Sequence, residues 1–464
     1  MQARARERMF RSIVPALKVI GAAALLTPLP QTVHAQSRAA VARTGVPSSP
    51  IAGEIADRAS RELRPFYAAR QFRPLWLNEF GRPSGAASML MHHLRTSQFD
   101  GVDPKKLRFN RVAKLVDRAR RGDQEDIARA EVELSAAYAA YVRAMRGADH
   151  DDMIYESPAL APVVPTARAA LEAAAQADSL EHYIAEMRWM HPLYAPMREA
   201  MEDRRFSGAQ RHQIWTNRAR IRAIPAMPQG RHILVDTASA RLWMYEDGKP
   251  VDSMKVVVGK PELQTPMMAG FVRYAILNPY WNVPADLVRT SIAVNVLDRG
   301  AGYLRGGGYE VFSDWRSGEK IDPATIDWQA VRDGRRQVHV RQLPGGSNFM
   351  GKVKFEFPNA QGIYLHDTPD KHLLREDARQ LSSGCVRLED AARMHRWLMG
   401  TPLPSRQRGD PEQQVPLPEM VPVYITYLTA MPEGTTIAFH SDVYGRDGVQ
   451  LAAVDTDRAR SDRP

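Results

Sequence analysis

The hydrophobic repeat of this chain changes from a helical to a strand-like period near His232, and that change most constrains the fold. Before it, apolar residues recur every three or four positions, as they do from Ile127 to Met145, where Gly147 follows as a helix stop. After it come short runs rich in Val, Ile and Tyr, which are typical of strands. The sequence therefore predicts an α+β multidomain protein in which a helical half precedes a mainly β domain.

We assign residues 51–228 to the helical half and its connecting segment, and residues 229–445 to the β domain. A second amphipathic helix is predicted from Ala167 to Trp189, and Gln210 to Gly230 is interpreted as a short link. Asp247-Gly248 joins two apolar runs and is a strong hairpin signal. The strand-like runs lie at 233–235, 242–245, 255–258, 274–277, 353–357, 421–427 and 435–439, the last two as closing strands.

The first 35 residues have the pattern of a secretory signal peptide. Four arginines between Arg4 and Arg11 precede the apolar run Val19 to Leu26, and Ala35 supplies the small residue for cleavage. The run is too short for an ordinary membrane-spanning helix, although an uncleaved signal would act as an anchor. We therefore predict export to the periplasm, a flexible linker at residues 36–50 and a loose tail at 446–464.

Composition excludes several functional classes. The chain has 464 residues, 44% of them hydrophobic, which is enough for two or three folded domains. Its single cysteine rules out an intrachain disulfide, a zinc ribbon and a cysteine-ligated iron–sulfur cluster. The net charge of +10 suits an anionic cell envelope, but no nucleic-acid-binding motif accompanies it.

The lone cysteine, Cys385, is the candidate nucleophile. Thioester chemistry needs a thiolate, a proton carrier and N–H groups directed at the oxyanion. His366 ends a strand-like run, and Gly384 permits a tight turn that exposes the N–H groups of Ser383, Gly384 and Cys385. The segment from Leu388 to Met399 is predicted to be helical, which would place Cys385 near a helix N-terminus and lower its pKa.

His366, the 15 residues after it and Ser382-Ser383-Gly384-Cys385-Val386-Arg387 together resemble the signature of the YkuD-type L,D-transpeptidases of bacterial cell walls. Ser383 stands where most members have His, which is the form expected in the large periplasmic YcbB-like branch. The helical half resembles the scaffold domain of that branch, for example at Phe99-Asp100-Gly101. Other matches are Val256 to Pro261, Asn278 to Pro284, Arg341 to Gly345, Val353 to Phe355, Phe357 to Asn359 and Tyr444 to Asp447.

The resemblance implies that Cys385 attacks the peptide bond between diaminopimelate and the terminal D-Ala of a tetrapeptide stem, with His366 as general acid and base. A second stem's amine then resolves the thioester into a 3→3 cross-link, without a metal or organic cofactor. Arg387 is a candidate for binding stem carboxylates, and Tyr280, Trp281 and Asn282 are candidates for lining the cleft. The expected partners are peptidoglycan stems and peptidoglycan synthases. Residues 303–345 are predicted to be an inserted lid that excludes water.

Three other functions remain open from the sequence. The same thioester could pass to water, as in an L,D-carboxypeptidase, or serve to attach or detach an envelope protein. A non-catalytic envelope-binding protein with an inert Cys385 would be the third reading. A thiol that alkylates rapidly near neutral pH would argue against this last one.

Overall fold

The computed structural model describes residues 49–148, 152–226, 229–404 and 410–448, which belong to one compact unit. The predicted signal peptide, the linker up to residue 48 and the tail from residue 449 lie outside the described residues. Within them, no helix has the length and apolar character needed to cross a bilayer. Ser49 caps the first helix, so the chain is already helical at Pro50, where we predicted linker.

Nine helices precede the β domain in the described part of the chain. In α5 the Asp123 side chain accepts a hydrogen bond from the Asp126 N–H at 3.0 Å, and Gly147 follows the last turn, which confirms this predicted helix. The helices are α1 Pro50–Arg58, α2 Arg64–Ala69, α3 Gly85–Arg95, α4 Phe109–Ala119, α5 Gln124–Arg146, α6 Ala167–Gln176, α7 Leu180–Ala185, α8 Tyr194–Glu202 and α9 Gly208–Arg222.

Two predictions for the helical half are wrong in detail. The single helix from Ala167 to Trp189 is two helices, because Ser179 leaves the helical conformation to cap α7. The link from Gln210 to Gly230 is mostly α9, which begins with a capping box formed by Ser207 and Gln210. The apolar periodicity of the sequence did not indicate α9, because this helix buries arginines where an amphipathic helix would bury a stripe of apolar residues.

The main sheet closes on itself. Its strands follow the order β5-β13-β2-β3-β4-β12-β10-β9, and β9 pairs again with β5, while β1 and β11 add to β5 and β4. The strands are β1 Ile154–Tyr155, β2 Arg231–Asp236, β3 Arg241–Glu246, β4 Lys249–Gly259, β5 Met268–Leu277, β6 Trp281–Val283, β7 Tyr309–Phe312, β8 His339–Gln342, β9 Val353–Glu356, β10 Leu365–His366, β11 Gln380–Ser382, β12 Val386–Leu388, β13 Gln413–Thr426, β14 Ala430–Glu433 and β15 Thr436–Phe439.

The barrel has one apolar interior. One part of its outer surface packs against the helical half, and another part carries polar side chains. Alternate residues such as Val423 and Leu365 fill the interior, and helix α14 (Ala391–Met399) adds Met394 to it. On the outside, Tyr424 of β13 packs with Leu160 and other residues of the helical half. The outer surface of β9, β10 and β12 is turned away from the apolar interior and is left for polar side chains.

The hairpin predicted at Asp247-Gly248 is confirmed between β3 and β4. Both turn residues have positive φ angles, 48° and 75°, as the twist of a two-residue hairpin requires. The predicted closing strand at 421–427 is the end of β13. The last predicted strand is confirmed as β15, but it does not belong to the barrel, because it pairs with β14 and packs Ile437 into the core of the helical half. The described start of the tail is also anchored, since Arg220 pairs with Asp447 at 2.7 Å.

The predicted lid is a folded module and begins earlier than residue 303. Its three-stranded sheet has the order β6-β8-β7 and starts at Trp281. Its helices are α10 Ala285–Leu287, α11 Ala293–Arg299, α12 Gly302–Gly306 and α13 Trp328–Arg332. Val296, Val311 and Val340 share a separate hydrophobic core there. The expectation of a turn-rich loop failed because these elements are short, so that their periodicity is weak.

Candidate active site

Three polar side chains lie side by side on the outer surface of the barrel. His366 of β10 is paired with Arg387 of β12 on one side and with Lys354 of β9 on the other. Their neighbours Leu365, Val386 and Phe355 point into the barrel core. Since side chains alternate along a strand, Lys354, His366 and Arg387 form one row on the outside. We call this the polar row.

Cys385 precedes β12 and lies next to the polar row. It is two residues before Arg387, and the Val386 N–H donates to the Tyr364 carbonyl at 2.9 Å, which continues the parallel pairing with β10. Cys385 is therefore a diagonal neighbour of His366, with a Cα separation of about 8 Å expected for this register. The structure thus brings the two predicted catalytic side chains to one face of the sheet.

The orientation of the His366 ring is set by the backbone. Its Nδ1 lies 2.6 Å from the Asp367 carbonyl oxygen, which can only accept, so Nδ1 carries the proton and Nε2 is the basic atom of the neutral ring. Burial lowers the pKa of His366 to about 3, and the Arg387 cation contributes further. The imidazole is therefore neutral near pH 7, in the form that a general base requires.

A tight turn presents Cys385. Gly384 has φ +114°, a conformation that favours glycine. The Ser382 hydroxyl accepts from the Gly384 N–H at 3.1 Å and donates to the Cys385 carbonyl at 2.6 Å. Thr265 holds the Gly384 carbonyl at 2.7 Å from a second side. Neither residue was assigned a role in the turn from the sequence, although Ser382 belongs to the motif and Thr265-Pro266 is another match to the family branch.

The predicted helix N-terminus beside Cys385 is wrong. The nucleophile is followed by strand β12, and α14 begins only at Ala391, because Asp390 caps it there. The residue Cys385 is partly exposed, but its thiol is desolvated by the surrounding protein, and this burial raises the pKa of the thiol above its ordinary value. The Tyr364 backbone and the Arg387 cation act in the opposite direction. The resting residue is thus a thiol, and its Sγ can donate to the Gly362 carbonyl oxygen at 3.6 Å.

The predicted set of oxyanion donors needs one correction. The Gly384 N–H is already bonded to the Ser382 hydroxyl, so it is not free for a substrate oxygen. Ser383 is exposed. Among the described residues, neither the Ser383 N–H nor the Cys385 N–H has a hydrogen-bond acceptor, and these two groups remain the candidates for an oxyanion site.

Arg387 joins the barrel to the lid. Its guanidinium lies 3.3 Å from the Asp370 carboxylate and 6.0 Å from the centre of the Phe349 ring. Phe349 in turn packs against Trp281 of β6 at 4.9 Å between ring centres. Arg387 is two residues from the nucleophile, whereas Trp281 is connected to Arg387 through Phe349, a residue that the sequence did not reveal.

The other two cleft candidates differ in position. Tyr280 is half-buried and stacks on the Arg341 guanidinium at 4.1 Å, while its N–H donates to Glu412 at 2.6 Å. Asn282 is exposed and is paired with Arg341 in the lid sheet. Neither contacts Cys385 or His366, so the structure places Tyr280 at the base of the lid and Asn282 on its outer surface.

The loop that carries Phe349 is rigidly held. The Asn348 side-chain amide donates to the carbonyls of Leu343 at 2.9 Å and Pro279 at 3.1 Å. Gln342 donates to the Gly307 carbonyl at 2.9 Å and accepts from the Phe349 N–H at 3.0 Å. This buried network fixes the ring of Phe349 above the polar row.

The remaining features near the site do not indicate a cofactor. In the described ranges, no group of three or more His, Cys, Asp or Glu side chains is arranged to bind a metal ion. A cavity of about 740 Å³ borders Asp367 and Lys371, behind the His366 anchor, but neither Cys385 nor His366 lines it. Its polar side chains are engaged with each other, as Lys371 is with Asp367 at 2.9 Å.

Comparison with known proteins gives two domain matches. Residues 230–425 match the YkuD family, described as the L,D-transpeptidase catalytic domain, and residues 61–201 match the Scaffold domain. A Haemophilus influenzae protein, provisionally described as an L,D-transpeptidase, is 32% identical over 252 residues, which are 52% of this chain and 49% of that protein. The chain thus aligns with about half the length of this curated relative.

Solved L,D-transpeptidases also align with parts of the chain. The enzyme from Mycobacterium smegmatis is 14% identical with a TM-score of 0.22, over 42% of this chain and 59% of that one. The Enterococcus faecium enzyme is 12% identical with a TM-score of 0.21, over 44% and 52% respectively. Overlaps this weak carry no argument, and the family assignment rests on the two domain matches.

Proposed function

Since the chain belongs to the L,D-transpeptidase family by its YkuD catalytic domain and its Scaffold domain, we propose that it forms 3→3 cross-links in peptidoglycan. The donor is a tetrapeptide stem, whose terminal D-Ala leaves, and the acceptor is the side-chain amine of a second stem. The observation that supports this most strongly is the pairing of His366 with Arg387 in neighbouring strands, since Cys385 lies only two residues before Arg387.

The first half-reaction forms a thioester. Cys385 Sγ attacks the carbonyl carbon of the diaminopimelate residue while His366 Nε2 takes the thiol proton. The Cys385 and Ser383 N–H groups hold the oxyanion, and one such donor is typically worth about 3 kcal/mol. The C–N bond then breaks as His366 returns the proton to the departing D-Ala amine.

The second half-reaction consumes the thioester. The neutral acceptor amine attacks the thioester carbonyl, and His366 Nε2 takes the proton that the attacking nitrogen releases as the new amide forms. The C–S bond then breaks, and the same proton passes to the departing thiolate and regenerates the thiol. One amide replaces another, so no nucleotide cofactor is needed. His366 stays in one orientation throughout, because its Nδ1–H remains bonded to the Asp367 carbonyl.

Water competes with the acceptor amine for the thioester. The lid is the element that favours transfer of the acyl group to the amine over hydrolysis of the thioester. Phe349 and Trp281 form a continuous aromatic contact from the lid to Arg387. An apolar cover of this kind lowers the local water concentration and leaves the groove to a second peptide. The proposed location is the periplasm, where nascent strands from peptidoglycan synthases supply the stems.

Product analysis tests the proposal. Disaccharide-tetrapeptide with a diaminopimelate stem is incubated with the wild-type protein, Cys385→Ala and Ser239→Ala, a control outside the site. We expect a 3→3 dimer and free D-Ala from the wild type and the control, and neither from Cys385→Ala, as measured by mass spectrometry. Tripeptide without dimer would replace the proposal with the L,D-carboxypeptidase, and no conversion would leave the non-catalytic reading.

A further inference from the structure

Lys354 of the polar row is a charged side chain that the mechanism above does not use. It lies on β9 directly beside His366, on the opposite side from Arg387. Only 12% of its side chain is exposed. A lysine this deeply buried costs desolvation free energy, and the site must offset that cost with anionic or aromatic contacts.

The present partners of Lys354 hold it weakly. Its Nζ lies 3.5 Å from one Glu412 oxygen, beyond ideal hydrogen-bond length, and 5.2 Å from the Tyr364 ring centre. The other Glu412 oxygen accepts the Tyr280 N–H at 2.6 Å, so Glu412 is held by the chain independently of Lys354. An ammonium group has three hydrogen-bond donors. This geometry leaves Lys354 able to bind an anion that comes closer than Glu412 does.

The order of the strands indicates on which side of the attacked carbonyl the leaving residue lies. The nucleophile belongs to the β12 side, His366 to β10 and Lys354 to β9. In the proposed mechanism the departing amine receives its proton from His366, so the leaving residue lies on the β10–β9 side of the attacked carbonyl. The carboxylate of a C-terminal residue is within about 4 Å of the preceding carbonyl carbon, which is the distance of one residue.

We propose that Lys354 binds the free carboxylate of the leaving D-amino acid and makes the enzyme selective for donor stems that end at that residue. The inference rests on the proposed function. Arg387 does not serve this purpose, because it lies on the nucleophile's side and is already paired with Asp370. A donor without the terminal charge leaves Lys354 in its weak contact with Glu412 and obtains no binding energy from Lys354.

The test compares two donors that differ only in the terminal group. The kcat/KM for release of the terminal residue is measured with the tetrapeptide acid and with its terminal amide, for the wild type, Lys354→Met, Lys354→Arg and Lys249→Met. Lys249 is exposed at the tip of the β3–β4 hairpin and is the matched control. Loss of a charge-assisted hydrogen bond predicts that the wild type prefers the acid about tenfold to a hundredfold in kcat/KM.

The variants separate recognition from structure. Lys354→Met is expected to lower kcat/KM for the acid to the level of the amide and to leave the amide rate within about twofold, while Lys354→Arg restores part of the preference. Equal losses on both donors, or an unchanged ratio, would overturn the inference. A wild-type protein that acylates neither donor would refute the proposed function itself, so the two failures are distinguishable.

Discussion

The Arg387 guanidinium lies 6.0 Å from the centre of the Phe349 ring, so the strand that follows the nucleophile contacts the lid directly. Phe349→Ala opens this contact without removing a polar group of the site. We expect the ratio of cross-linked dimer to hydrolysed tripeptide to fall severalfold, because water reaches the thioester more easily. Chromatography of the products from tetrapeptide measures this ratio, and an unchanged ratio would show that Phe349 does not shield the site.

Most of the lid, though not Trp281 or Phe349, can be removed at a pair of opposed residues. Val283 of β6 and Val340 of β8 are directly paired, so an Asn-Gly turn can replace residues 284–339 and close a hairpin. We expect this variant to keep D-Ala release from the donor and to lose most of its dimer formation. Release of D-Ala with an unaltered yield of dimer would contradict the role of the lid.

The turn that presents Cys385 depends on the hydroxyl of Ser382. Ser382→Ala removes two hydrogen bonds, at 3.1 Å to the Gly384 N–H and 2.6 Å to the Cys385 carbonyl. Leaving buried groups unsatisfied typically costs about 1–3 kcal/mol each, and the misplaced thiol should lower acylation at least tenfold. The exposed Ser383→Ala is the control, since its side chain holds nothing in the turn. Equal acylation rates for both variants would show that the Ser382 hydroxyl is dispensable.

The thiol should become reactive only at high pH. Burial raises the pKa of Cys385, so the thiolate fraction increases with pH up to and beyond the ordinary thiol range. We expect the rate of iodoacetamide labelling to be low near pH 7 and still rising at pH 9, which differs from the rapid neutral labelling suggested by the sequence. A plateau reached below pH 7 would instead indicate a thiolate–imidazolium pair.

A buried histidine pair between the two halves predicts how stability depends on pH. His191 Nε2 and His232 Nε2 are 3.3 Å apart, and His232 stacks on Tyr245 at 4.6 Å. Burial lowers the pKa of both rings, that of His232 to about 4, and the Arg146 cation adds to the effect at His191. Tyr424 also faces His232.

The sign of the effect follows from proton binding. Below about pH 6.5 the unfolded chain binds a proton at His232, whereas the folded chain does so only as the pH approaches 4. The free energy of unfolding therefore decreases as the pH falls from 6.5 toward 4, by up to about 3 kcal/mol. Urea titrations between pH 4 and 7 should therefore show a shallower pH dependence in His232→Gln than in the wild type. The exposed His372→Gln should behave like the wild type, and an unaltered slope in His232→Gln would contradict the account.

The sequence was sufficient for features that depend on local pattern. The helix around Tyr138 and the hairpin at Asp247-Gly248 follow from periodicity or spacing, whereas the association of His366 with Cys385 was implied mainly by the resemblance to the YkuD signature. Ser179 and Ser207, which cap α7 and α9 in the structure, were not singled out from the sequence. The helix and the hairpin have strong local signals because one turn or one repeat decides them.

The features that the sequence missed depend on contacts between distant residues. Phe349 and Lys354 reach the site through the loop network and the β9 register, and neither residue type is unusual on a strand or loop. The hairpin of β14 and β15 packs on the helical half because its apolar face finds a core there. The fall in the His366 pKa likewise comes from burial, which no spacing of residues reveals.

The central claim is that Cys385 carries the donor as a thioester before transfer. Intact-protein mass spectrometry after rapid mixing with tetrapeptide, without an acceptor, tests it directly. We predict an adduct equal to the donor minus D-Ala, assigned to Cys385 by peptide mapping and removed by hydroxylamine. The claim would be contradicted by an adduct on another residue, or by a Cys385→Ala variant that still releases D-Ala.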